Sequence, residues 1–343
     1  MSNKDRYFYI AGYDISKYVL SYSNIASEQS KPEWGELPAL QRTEFTMINT
    51  TGAFSSFNPL SIFSNQKYTD MRVLIKLKMG GVEYIEYDGF IEDAIENYGD
   101  GTTKVVGISP FIKALDSPCL TATGSATPSE LSRQLFALFN IPYDNTSYGA
   151  ANAYHSGLIT CIFDPNLFDS NITLLETQKQ LATAGFGRIY SYNGKMFYEV
   201  NQTIIPTISY NLTDKDIMGS PSINAQEREK KYYNVKYIDG DVNSAGFIAG
   251  VATQGLDFGP NSSVKITSLT GAQACADAWE RISKINQRQI VFPVKHSVGI
   301  CFELGTFLTL TWAKGGFFNT ILEVIGINRT DTKYTMLTCR GDI

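Results

Sequence analysis

The residues able to do chemistry are few and poorly spaced for it. Two histidines, His155 and His296, occur in 343 residues, and no Ser-His-Asp spacing couples a nucleophile to a base. His155 falls in a Tyr/Gly/Asn loop and His296 in an alternating strand, where a lone histidine reads as structural or simply exposed. Glu92, Asp93 and Glu96 form an acidic cluster of the kind that glycoside hydrolysis draws its paired carboxylates from. They alternate with Ile91 and Ile95, however, and read as the solvated face of a strand. Asp239-Gly240-Asp241-Val242-Asn243 puts oxygen ligands at alternate positions, as a calcium loop does. Ser244 then stands at the sixth position in place of glycine, and Gly250 at the twelfth in place of a bidentate Glu. Cys119, Cys161, Cys275, Cys301 and Cys339 lie far apart without a CxxC pair, so free buried thiols are expected, not zinc ligands or a redox pair. Neither a GxGxxG nor a GxxxxGK[ST] phosphate loop is present. No catalytic, cofactor-binding or metal-binding residue is expected.

Composition points the same way. Hydrophobic residues make up 43% and charged residues 18% of the chain, which excludes a disordered protein, while 20 Tyr and 20 Phe favour strands. A net charge of -5 with Lys and Arg evenly spread leaves no basic stripe for nucleic-acid phosphates. The first residues, MSNKDRYFYI, lack the basic and apolar regions of a signal peptide, and no run of eighteen apolar residues occurs. A soluble protein matured in a reducing cytoplasm, without direct membrane insertion, is the expectation.

The elements that would position any site are strands. From Tyr68 to Asp116, Val73, Ile75 and Leu77 alternate with polar residues, Gly80-Gly81 turns the chain, and Gly99-Asp100-Gly101 joins DGFIEDAIENY to TTKVVGIS. This antiparallel meander returns near the C-terminus, where TILEVIGINRTDTKYTMLTCRG has the same layout of strand, polar turn and strand. Between the two copies the pattern changes. Thr127 caps a helix with Pro128 at its first position and Glu130 three residues on. Thr173 and Glu176 open a second helix that ends at Gly185 and Gly187, and Asn193-Gly194 turns a hairpin. The expected fold class is mainly β with an α+β insert: a first tube-like β-barrel over 1–117, the insert over 118–228, and a second barrel with a flanking helix over 229–343.

Before the first meander lies TGAFSSFNPLSIFSNQKYTD, a long Ser/Asn-rich loop that carries Phe54, Phe57, Leu60, Ile62 and Phe63. A loop of that length inside a compact domain is usually functional. Its apolar side chains either fold back over an open barrel end or form an arm that contacts a subunit or partner.

The opening strand with Gly12-Tyr13-Asp14-Ile15-Ser16, the strand TEFTMINTTGAFS, and the succession RVLIKL, DGFIEDAI, VVGIS and FIKALD resemble the first domain of bacteriophage baseplate and tail hub proteins. TPSELSRQLFALFNIPY through KMFYEV resembles that family's insert, and YYNVKYID through TMLTCRG its second barrel. The resemblance implies a homotrimeric, non-enzymatic virion protein assembled in the host bacterial cytoplasm. It would adapt a sixfold tail tube to a threefold spike protein and form part of the channel for DNA and the tape-measure protein, letting DNA pass without specific binding. No cofactor is implied. Because the sequence stops at Ile343, just after the second barrel, the spike is expected to be a separate polypeptide. A hexameric distal tail or tube-initiator protein and a tail-tip protein that binds or hydrolyses carbohydrate are the competing readings.

Overall fold

The computed structural model describes residues 6–22, 29–32, 34–36, 38, 41–79, 81–109, 111–121, 123–167, 171–201, 207–224, 232–238, 240–243, 255–258, 262–284, 287–329 and 334–342. Asp239, Ser244 and Gly250 of the calcium-like stretch, and Thr330 and Asp331 of the polar turn expected in TILEVIGINRTDTKYTMLTCRG, lie outside these residues.

The chain opens with β1 (Arg6–Ile10), β2 (Tyr13–Asp14), β3 (Val19–Tyr22), β4 (Gln29–Ser30), β5 (Arg42–Ile48), β6 (Arg72–Met79), β7 (Val82–Asn97) and β8 (Thr102–Ile108). All but β4 join one antiparallel sheet in the order β2-β1-β6-β7-β8-β5-β3. Alternation decides its faces: Val73 and Ile75 are buried with Phe8, Ile10, Phe45, Met47, Tyr87 and Val105, while Arg72 and Lys78 point to solvent.

A mixed region follows, built from α1 (Ile112–Leu115), α2 (Pro128–Leu138), α3 (Asn145–His155), β9 (Cys161–Phe163), α4 (Leu174–Ala184), β10 (Gly187–Tyr192) and β11 (Lys195–Val200). Both expected caps form. Thr127 accepts from the Glu130 amide and Thr173 from the Glu176 amide, each at 3.2 Å. The Glu130 carboxylate does not close a capping box. It pairs with Arg133 at 2.6 and 2.8 Å instead, because the longer guanidinium one turn on reaches both oxygens. The C-terminal turn of α4 differs from the glycine ending expected there: Gly185 has φ -89°, and the positive φ falls on Phe186, whose ring is buried. Asn193 and Gly194, at φ +46° and +72°, make the β10-β11 turn as expected.

Two further strands, β12 (Ile208–Thr213) and β13 (Ser222–Asn224), leave this region for the last sheet, whereas β14 (Tyr232–Tyr237), β15 (Gly240–Asn243), β16 (Gly255–Phe258), β17 (Val264–Ile266) and α5 (Leu269–Lys284) return to it. Val235, Phe258, Ile266, Cys275, Trp279 and Ile282 share one core with Leu131, Phe136, Leu181 and Tyr198. The expected division at 228/229 therefore does not coincide with a boundary between cores. α5 packs against β14 and β15, and its Trp279 Nε1 reaches α4, donating to the Thr183 carbonyl at 2.9 Å.

The last sheet comprises β18 (Gln287–Lys295), β19 (Phe307–Trp312), β20 (Phe317–Asn328) and β21 (Tyr334–Asp342), with α6 (His296–Gly299) after β18. Its order is β12-β19-β20-β21-β18-β13, and β4 adds to β20 from the other end of the chain. Among the described residues of this sheet, β12 alone runs parallel to its neighbour.

The last sheet repeats the plan of the first. β5 pairs with β8, β6 with β7 and β7 with β8; likewise β18 pairs with β21, β19 with β20 and β20 with β21, all antiparallel. Even an irregularity recurs. Ile91 faces Gly107 and Asp93 faces Val106, leaving Glu92 extra; Val324 faces Cys339 and Gly326 faces Thr338, leaving Ile325 extra. The duplicated meander expected from the sequence is present, as two curled tube-like sheets flanking a mixed region.

Candidate functional site

The residues with chemical potential do not converge. His155 sits at the end of α3, not in a loop, and lies in the core. Its Nδ1 is 3.0 Å from Ser129 Oγ, the geometry of a nucleophile and its base. Yet His155, Ser129 and their surroundings are buried, and Nε2 meets the Gly185 carbonyl at 3.0 Å. The simplest tautomer donates from Nε2 to that carbonyl and accepts the Ser129 proton at Nδ1, which satisfies the ring and leaves no substrate path. Burial holds its pKa down at about 4, against a small upward pull from Gly185. His296 opens α6 beyond the end of its strand and meets Thr335 Oγ1 at 3.2 Å.

Glu92 and Asp93 are exposed, Glu92 facing Arg42 at 3.8 Å, and the bulge at Glu92 shifts the alternation so that Ile95 turns outward. Cys119, Cys161, Cys275 and Cys339 are buried free thiols and Cys301 is an exposed one. Among the described residues no group of three His, Cys, Asp or Glu could hold a metal, and no helix is long and apolar enough to cross a membrane.

What the fold does build is a densely hydrogen-bonded loop end on the first sheet. From Asn49 to Ser64 the backbone advances in three-residue turns, the amides of Gly52, Ser55, Asn58, Ser61 and Ser64 each donating to the carbonyl three residues back at 2.9–3.3 Å. Asparagines reinforce it: Asn49 Oδ1 accepts from the Phe54 amide, and Asn58 bridges the Gly52 carbonyl and the Leu60 amide. The Tyr68 hydroxyl accepts from the Ser56 amide and lies 2.5 Å from both the Phe54 carbonyl and Glu96 Oε1. Burial, then the Glu96 carboxylate, push the Tyr68 hydroxyl above its ordinary range. Burial alone would raise Glu96; hydrogen bonding from Tyr68, Ser55 and Tyr98 outweighs it and holds Glu96 below the usual carboxylate range.

The five apolar residues of this loop divide into two sets. Phe54 and Phe63 fold back into the core, their ring centroids 5.9 Å apart, with Tyr18 against Phe54 at 4.7 Å. Phe57 and Leu60 stand out at 84% and 93% exposure, with Ile62 at 40%. Beside them lies an open cleft of about 360 Å³, walled by Thr50, Phe57, Asn58, Glu96 and Tyr98. Part of the loop thus plugs the sheet, as Phe54 and Phe63 show, and part is presented to solvent.

A second feature, missed in the sequence, is the joint between the two sheets. Arg188 Nη2 lies 2.7 Å from Glu199 Oε1 and 2.8 Å from Glu323 Oε1, and Lys31 Nζ lies 2.6 Å from Glu199 Oε2 and 2.7 Å from Glu323 Oε1. Two cations and two anions from three distant regions are matched in one cluster whose cations are buried and whose carboxylates keep some exposure, with the Trp34 ring 4.1 Å from the Arg188 guanidinium. On the other side Ser191 meets Ser109 at 3.1 Å, and Arg6 donates both to Glu86 and to the Arg329 carbonyl. The β10-β11 hairpin is thereby held against both sheets.

No protein-family model matches the sequence, and no curated protein does either. Solved structures do match. A 43 kDa tail protein of prophage MuSo2 from Shewanella oneidensis superimposes with a TM-score of 0.56 at 12% identity, covering 98% of this chain and 96% of that one. A tail protein from Neisseria meningitidis MC58 gives 0.59 at 10% identity over 98% and 96%. Prophage tail protein gp18 from Listeria monocytogenes EGD-e gives 0.53 at 10% over 98% and 94%. The chain has the fold of prophage tail proteins. Nearly the full length of each partner is matched, so the likeness to the tail-protein fold takes in both sheets and the region between them.

Proposed function

We propose that this chain is a non-enzymatic structural component of a phage tail or baseplate, a hub that assembles as a homotrimer. The observation that carries the reading is the repeated β5–β8 and β18–β21 plan, down to the shared bulge: three chains with two like sheets each offer six like positions. Such a ring meets a sixfold tail tube on one side and a threefold spike on the other, and encloses part of the channel for DNA and the tape-measure protein. The net charge of -5 supports passage of DNA without specific binding. The protein would reside in the virion at the tail tip, after assembly in the host cytoplasm. Its working parts are faces and edges, with Phe57, Leu60 and Ile62 as contact residues and Phe54 and Phe63 as their support.

Symmetry determination by electron microscopy of tail tips containing the chain tests this directly. A threefold layer made of this chain is expected; a sixfold layer would replace the hub with a tube-initiating ring. Loss of a glycan-degrading activity on Glu92→Gln or Asp93→Asn would instead establish a carbohydrate-acting protein.

A further inference from the structure

Residues 49–71 and 296–306 are the same connection in the two copies of the sheet plan, joining β5 to β6 and β18 to β19. They have diverged. In the second copy Ile300 and Phe302 are buried and no large apolar side chain of 296–306 is exposed, whereas the first presents Phe57 and Leu60 on a frame already held by turns and the Tyr68 hydroxyl. This connection therefore makes the two sheets unlike at one end, whatever else they share.

We infer that the Phe57-Asn58-Pro59-Leu60 tip docks a homotrimeric protein partner, the tip seating in an apolar recess of each partner subunit. The inference rests on the trimeric reading above. In a ring of three chains the tip occurs at three of six sheet positions, so a sixfold partner would find half its contacts missing, while a threefold partner finds all of them. The frame favours this use, since a preordered loop loses little conformational freedom on binding and exposed aromatic and leucine side chains gain by leaving water. The adjoining cleft beside Tyr98 and Glu96 gives the partner room to enter alongside the tip.

The test is the native particle compared with one carrying the double substitution Phe57→Asp/Leu60→Asp. In the wild-type particle the layer touching residues 57–60 is expected to obey threefold symmetry. The double variant is expected to keep its own trimer and its sixfold neighbour and to lose the threefold layer at least tenfold in occupancy. A sixfold layer at the tips, retention of the threefold layer by the variant, or loss of the variant's own trimer would each overturn the inference. A wild-type chain that forms no trimer at all would instead overturn the hub reading beneath it.

Discussion

Arg188 on β10 and Glu323 on β20 meet at 2.8 Å, tying the mixed region to the last sheet through a guanidinium with no solvent exposure. Lys31 shares Glu323 with it, and Glu199 closes the square. Glu323→Gln leaves two buried cations facing one carboxylate. A loss of about 3–5 kcal/mol is expected, as for other buried pairs stripped of one partner, read as a fall in the urea midpoint. Adding Lys31→Met restores one cation to one anion and should recover part of that loss, giving a clear coupling in the double-mutant cycle.

Acid should weaken the protein, most of all through His155 and Glu199. The folded pKa of His155 is lowered from 6.5 to about 4, so the unfolded chain binds more protons between these values and stability falls as pH drops through that window. The full effect is about 3 kcal/mol. Burial alone would raise Glu199, but Arg188 and Lys31 outweigh it and hold Glu199 well below its ordinary 4.5, so its contribution is present above that value and is lost as pH falls beneath it. Thermal midpoints are expected to be flat above pH 7 and to drop progressively below 6.5. Ser129→Ala, which leaves His155 Nδ1 unpaired, should cost about 1–3 kcal/mol at pH 7.5.

Tyr68→Phe removes the hydroxyl that joins the Ser56 amide, the Phe54 carbonyl and Glu96. A destabilisation of about 1–3 kcal/mol is expected. Amide exchange should accelerate across residues 49–66 while β6 and β8 keep their protection, a local signature that a general loss of stability would not give.

Neighbouring apolar residues of the loop should respond in opposite ways. Phe63 is fully buried, and Phe63→Ala should cost about 3–5 kcal/mol by calorimetry. Leu60→Ala, at a side chain touching mostly water, should stay within about 0.5 kcal/mol.

What could be read from the sequence was local. Thr127 and Thr173 announce their helices because a cap needs only the next three residues, and Asn193-Gly194 announces its hairpin because the turn needs those backbone angles. The two meanders were legible because alternation and turn residues repeat along each. Helix α3 was not: Asn145 to His155 is rich in Asn, Gly and Tyr with a weak apolar stripe, and Asp144, whose carboxylate accepts from the Ser147 amide at 2.8 Å, was the signal available. The allegiance of α5 to the middle core includes the contacts of Cys275 and Trp279 with the Thr183 carbonyl, more than ninety residues away, which no periodicity reveals. The same holds for the charge cluster, since Lys31, Arg188, Glu199 and Glu323 each look like a surface residue in its own segment. In the loop, apolar content was plain, but which residues faced inward depended on its three-residue turns.

The strand β4 lies on Gly326 and Ile327 of β20, the stretch past the end of the β19 ladder at Glu323. Open backbone donors and acceptors on a strand edge are a template on which other chains can add and precipitate. By laying residues from its own N-terminal region along that edge, the chain guards each free copy against aggregation before any partner arrives.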